Sequence, residues 1–102
     1  MKTLYLPLKS IWYNMIESGI KKEEYRDITP HWTKRICGTS DIKTDENGNV
    51  ITDCTHVCFM YGYTKRRMTF EIDNIKLSNT GVPEWGFPNH SVFSIRLGKH
   101  IK

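Results

Sequence analysis

Residues 54–77 read CTHVCFMYGYTKRRMTFEIDNIKL. Val57, Phe59 and Tyr61 recur at every second position, the spacing that puts side chains on one face of a strand. Met68, Phe70 and Ile72 repeat the pattern, with Thr69, Glu71 and Asp73 on the opposite face. The Tyr61-Gly62-Tyr63 turn separates the two runs. The stretch therefore predicts a β-hairpin, and with it a chain that is mainly β.

Downstream, SVFSIRLG (91–98) puts Phe93, Ile95 and Leu97 together as a further strand. Before it lies SNTGVPEWGFPNH (78–90), a loop stiffened by Pro83 and Pro88. Upstream, TLYLPLK (3–9) alternates on Leu4, Leu6 and Leu8, and Pro7 predicts a strand end or a sheet edge. Next, SIWYNMIESG (10–19) predicts a helix with Ser10 as N-cap and a stripe of Ile11, Trp12, Met15 and Ile16. Gly19 fits the left-handed position that closes a helix, with Ile20 against the last turn. TPHWTKRIC (29–37) predicts a second short helix, capped by Thr29 and begun by Pro30. Residues 38–53 form a polar insert whose ENGN (46–49) marks the tip of a small hairpin, and mobility is expected there.

These elements fit one domain over 1–102. The fold expected is α+β and mainly β: a small, partly closed β-barrel of about five strands with two short flanking helices. The composition suits a globular chain, with 38% hydrophobic residues. No apolar run reaches the ~20 residues of a membrane span, and no secretory leader is evident, so the expected location is cytoplasmic with no membrane partner. Three cysteines, an odd number, are read as free thiols. In CTHVC (54–58), Cys54, His56 and Cys58 would share a strand face, but the spacing lacks the tight turn of structural zinc sites. No metal and no cofactor is expected.

The net charge of +4 and pI near 9.0 permit an anionic partner. The densest charge is GIKKEEYRD (19–27). Read as a strand, it puts Lys22, Glu24 and Arg26 on one face and Lys21, Glu23 and Tyr25 on the other. One interpretation is an exposed strand carrying weak ion pairs. The other is a cleft lined where the chain turns from helix into sheet. A second basic run, Lys65-Arg66-Arg67, follows Tyr63 and reads either as a solvated hairpin or as a phosphate-binding rim with Tyr63 as a stacking platform, extended by Lys99, His100 and Lys102. Trp85, between Glu84 and Gly86, is either a core lid or an aromatic cleft wall.

Gly19-Ile20-Lys21-Lys22-Glu23-Glu24-Tyr25-Arg26 fits the pattern G-x-K-x-x-E-x-R. After a helix with Trp and Ile, this resembles the signature of the ASCH domain family, relatives of the PUA RNA-binding domain. MYGYTKRRMTFEI (60–72), PEWG (83–86) and VFSIRLGKHI (92–101) also resemble small standalone ASCH proteins, with the insert at 38–53 least typical. The resemblance implies a PUA-like barrel whose motif residues line a cleft for RNA or a modified nucleotide. Lys21, Glu24 and Arg26 would then be the ligand-binding residues and Gly19 the turn that presents them. Tyr63, Arg66 and Trp85 are the further candidates for contact with the ligand.

Some members of the family are amidohydrolases that remove an acyl group from a modified cytidine, using a Thr nucleophile where this chain has Glu24. Others are reported as ribonucleases. The alternative function is therefore a hydrolase acting on an acylated nucleoside or on RNA, with Lys21 and Glu24 catalytic and Glu71 or Glu84 as a further acid. A third reading is a protein-interaction domain using the aromatic loop.

Overall fold

The computed structural model describes residues 2–102. It contains five strands and two α-helices: β1 (Lys2–Leu8), α1 (Ser10–Glu17), β2 (Glu23–Asp27), α2 (Pro30–Cys37), β3 (Cys54–Tyr61), β4 (Arg67–Ser78) and β5 (Val92–His100). A single 3-10 turn, Pro83–Trp85, interrupts the loop before β5. The strands form one sheet in the order β1-β3-β4-β5-β2. β1 runs parallel to β3 and every other neighbouring pair is antiparallel. The sheet curls into a half-barrel with the helices packed alongside. Among the described residues no helix is long and apolar enough to cross a membrane.

The hairpin register places Val57 opposite Phe70 and Phe59 opposite Met68, so both apolar faces point inward. Leu4 and Leu6 lie against Val57 and Phe59 from the other side. Leu4, Leu6, Val57, Phe59, Phe70, Phe93 and Ile95 are all buried, as the alternation predicts, whereas Ile72 is only half-buried. The register shifts around Ile72 explain that residue. They change the phase of β4, so Ile75 takes the next core position opposite Ile95.

Other departures are local. Lys9, not Ser10, is the N-cap of α1, and no side chain caps this end. The buried residues of α1 are Tyr13 and Ile16, while Ile11 is exposed. Tyr13 instead packs edge-on against Tyr61, with ring centres 5.1 Å apart. The Gly19 expectation holds for the backbone, while the Ile20 side chain is exposed. Gly19 adopts φ +84°, and the N–H groups of Gly19 and Ile20 return to the carbonyls of Ile16 and Met15. α2 begins as expected, with the Thr29 hydroxyl accepting from the Trp32 N–H at 3.2 Å and Pro30 in its first position.

The insert is tied at several points. The Asp45 carboxylate accepts from the backbone N–H groups of Asn47 and Asn49 and so shapes the turn. Val50 is buried and donates its N–H to the Ile75 carbonyl, and Thr52 bonds the carbonyl at Ile36.

Candidate functional site

The helix-closing turn at Gly19 sends the next residues inward rather than along an exposed strand. The Lys21 N–H joins the Ile20 N–H on the Met15 carbonyl, and β2 starts only at Glu23. Lys21 is consequently outside the strand alternation. Its side chain turns to the same side as Glu24, and both are buried, with Lys21 1% exposed. The face assignment made from alternation fails at this residue for that reason.

The Lys21 ammonium donates to the Trp85 carbonyl and lies 3.2 Å from Glu24 Oε1. It also sits 5.4 Å from the Trp12 ring centre and 4.8 Å from that of Tyr25. Burial lowers the Lys21 pKa below the usual lysine range, and the Glu24 carboxylate opposes that shift. Glu24 is saturated. Oε1 also accepts from the Tyr25 N–H at 3.1 Å, and Oε2 accepts from Arg26 Nη1 at 2.7 Å.

Arg26 then connects the cluster to the far edge of the sheet. Nη1 also donates to the Tyr25 carbonyl at 2.8 Å, and Nη2 donates to the Pro7 carbonyl of β1 at 3.2 Å. The guanidinium lies 5.3 Å from the centre of the Trp32 ring. Arg35 lies near the same indole at 5.7 Å and makes a longer 3.5 Å contact with the Tyr5 carbonyl. Two arginines and a tryptophan thus bridge the open seam of the half-barrel. Of the five Arg26 donors, Nε–H and one Nη2 proton have no partner among the described residues.

Arg26 also lines a cleft of about 350 Å³, together with Tyr25, Asp27, Thr29, Trp32 and Gly86, among others. The Tyr25 hydroxyl donates to Glu23 Oε1 at 2.9 Å and accepts from the Val82 N–H at 3.2 Å. Burial, aided by Glu23, pushes its pKa up to about 12, against the Val82 N–H. On the loop side, Gly86 is at φ +88°, and a Cβ there would lie 2.9 Å from the Trp12 ring. Glycine is needed at that position for both reasons, and it lets the loop close over Lys21. His90 Nε2 lies 2.7 Å from Asp27 Oδ1 and fastens the end of the loop to β2.

The structure therefore brings Lys21, Glu24 and Arg26 together, with Gly19 making the turn that precedes them. Only Arg26 of the three lines the cleft; Lys21 and Glu24 lie behind it. Trp85 joins through its carbonyl, and its indole is not part of the cleft lining. Tyr63 and Arg66 are elsewhere. Tyr63 is 98% exposed, and Arg66 pairs with Glu17 at 2.7 Å and packs over Tyr13 and Tyr61. Glu71 and Glu84 are exposed and do not line the cleft. Sequence reading missed Tyr25 and Trp32 as cleft residues. A Trp with an Arg three positions on in the same short helix was the available signal for Trp32. The chain matches no protein-family model, no curated protein and no solved structure.

Proposed function

We propose that this chain is a PUA-like, ASCH-type domain that binds a nucleotide, or a base of an RNA, in the cleft beside Arg26. One observation carries the reading: Arg26 is held rigidly at the cleft with two donors unused, next to the Trp32 ring. A guanidinium edge suits a phosphate or a base carbonyl, and an indole suits a flat heterocycle. The cleft volume lies within the range of small-molecule sites. Lys21 and Glu24 act as support that fixes the Arg26 plane. That division favours binding over hydrolysis, because the Lys21 and Glu24 side chains are 0% and 6% exposed and their polar atoms are already engaged.

The test is calorimetric titration with the four ribonucleoside monophosphates. Arg26→Lys keeps the charge and removes the fork, and Trp32→Leu removes the ring. Each is expected to weaken binding about tenfold, in line with the ~1–3 kcal/mol of a stacked or bidentate contact. Lys43→Ala, in the polar insert, is the control and should change nothing. Equal affinity for all four proteins, each shown to be folded by its melting curve, sinks the proposal.

A further inference from the structure

The positive charge of this chain is concentrated away from the cleft. The segments 63–69 (YTKRRMT) and 99–102 (KHIK) hold Lys65, Arg66, Arg67, Lys99 and Lys102 and contain no Asp or Glu. Without these five, ten Lys and Arg remain against eleven Asp and Glu, so the whole net charge of +4 arises here. The fold puts the two segments side by side. Phe70 pairs with His100, the Thr69 N–H donates to the Lys102 carbonyl, and the Ile101 N–H donates to the Thr69 carbonyl. Among the described residues only Arg66 of the five has an acidic partner, Glu17. Lys65, Arg67, Lys99 and Lys102 are exposed.

The turn above this patch is firmly built. The Tyr61 N–H donates to the Arg66 carbonyl, and both the N–H and the hydroxyl of Thr64 bond the Tyr61 carbonyl. Arg66 is clamped over Tyr13 and Tyr61. At the tip of this fixed turn the Tyr63 ring is 98% exposed and packs on nothing. Four cations without an ion-pair partner among the described residues, beside a bare aromatic ring, suit one kind of partner best. Phosphates meet the cations and a base meets the ring. An anionic membrane would satisfy the cations equally, but the patch offers it one exposed aliphatic side chain, Ile101, while Met68 and Phe70 face the core.

We infer that the tip of the β3–β4 turn and the adjoining C-terminal segment form a second site, a track for single-stranded nucleic acid with Tyr63 as its stacking platform. The track is separate from the Arg26 cleft and does not depend on it: its residues do not line the cleft.

The experiment is fluorescence anisotropy with a labelled 12-nucleotide single-stranded RNA across a salt series. Vesicles of phosphatidylcholine and phosphatidylserine are tested in parallel by co-sedimentation. Tyr63→Ala is expected to weaken RNA binding about tenfold. The double variant Lys65→Ala, Arg67→Ala should flatten the dependence of log affinity on log salt by about 1.4, from ~0.7 per phosphate contact on a single strand. Neither should alter mononucleotide binding, and Trp32→Leu should leave the salt slope for the strand intact, so the cleft and the track can fail independently. RNA binding unchanged in both patch variants overturns the track, as does vesicle binding without RNA binding.

Discussion

Two charged regions of this molecule look alike in the sequence and behave differently in the fold. Residues 21–26 hold Lys21, Lys22, Glu23, Glu24 and Arg26, and residues 65–67 hold Lys65, Arg66 and Arg67. The first cluster interleaves acids with bases, and all its members but the exposed Lys22 find ion-pair partners among the described residues. Glu24 sits between Lys21 and Arg26, all three largely buried. The second has no acid of its own, and only Arg66 finds one, on α1. Charge density alone separates nothing. What distinguishes the regions is whether opposite charges lie close enough in the chain to be buried together. A cluster that neutralises itself can become scaffold, and one that cannot stays at the surface facing solvent or a partner.

The sharpest way to break this comparison is to remove the shared acid. Glu24→Ala leaves two buried or half-buried cations facing each other and is expected to cost about 3–5 kcal/mol, a large share of a small domain's stability. Lys21→Met should cost much less, because Glu24 keeps Arg26 and the Tyr25 N–H. Urea denaturation of the two variants measures the order. If Lys21→Met proves as damaging as Glu24→Ala, the view of Glu24 as the hub is wrong.

The next effect is in pH. Lys21 has a folded pKa below its ordinary 10.5, so its contribution to stability is present above that value and is lost as pH falls through the lowered one. Tyr25 has the opposite sign. Its pKa rises from 10.0 to about 12, so its contribution is present below pH 10 and is lost as pH climbs towards about 12. Tyr13, also raised by burial, adds to that fall. The urea midpoint should therefore gain from Lys21 as pH approaches 10 and fall beyond it. Lys21→Met should remove that gain, and Tyr25→Phe should reduce the fall. A wild-type profile that both variants reproduce would contradict the assignment.

The smallest effect belongs to the other region. Lys65→Ala with Arg67→Ala should move the melting free energy by no more than about 0.5 kcal/mol per site, since neither residue has an ion-pair partner among the described residues. A loss comparable to that of Glu24→Ala would place the basic turn among the structural elements after all.

Much of the fold could be read from residues whose chemistry is local. Thr29-Pro30 opens α2, Gly19 closes α1, and the alternation of Val57, Phe59, Phe93 and Ile95 marks the central strands, because caps and period-two faces depend on near neighbours. Features set by distant parts of the chain were not legible. Ile75 became a core residue through a register shift that β5 imposes. Tyr13 displaced Ile11 because Tyr61 offers it an edge-on partner. In the site, the grouping of Lys21, Glu24 and Arg26 was anticipated from the motif pattern, but the depth of Lys21 was not. That depth is created by Trp12, Tyr25 and the loop through Gly86, which are scattered from one end of the chain to the other.

The stitched seam has one more consequence, for how copies of this chain treat each other. β1 is an outer strand of the sheet, and such strands invite neighbours to add on. The Leu8 carbonyl is taken by the Gly62 N–H on the β3 side, while those of Tyr5 and Pro7 face the free side and are covered by Arg35 and Arg26. Pro7 has no N–H to offer at all. A foreign strand arriving at this edge finds few groups left to bond, and the two guanidinium charges oppose an identical copy. The arginines that close the half-barrel are thereby also its guard against polymerisation through the sheet.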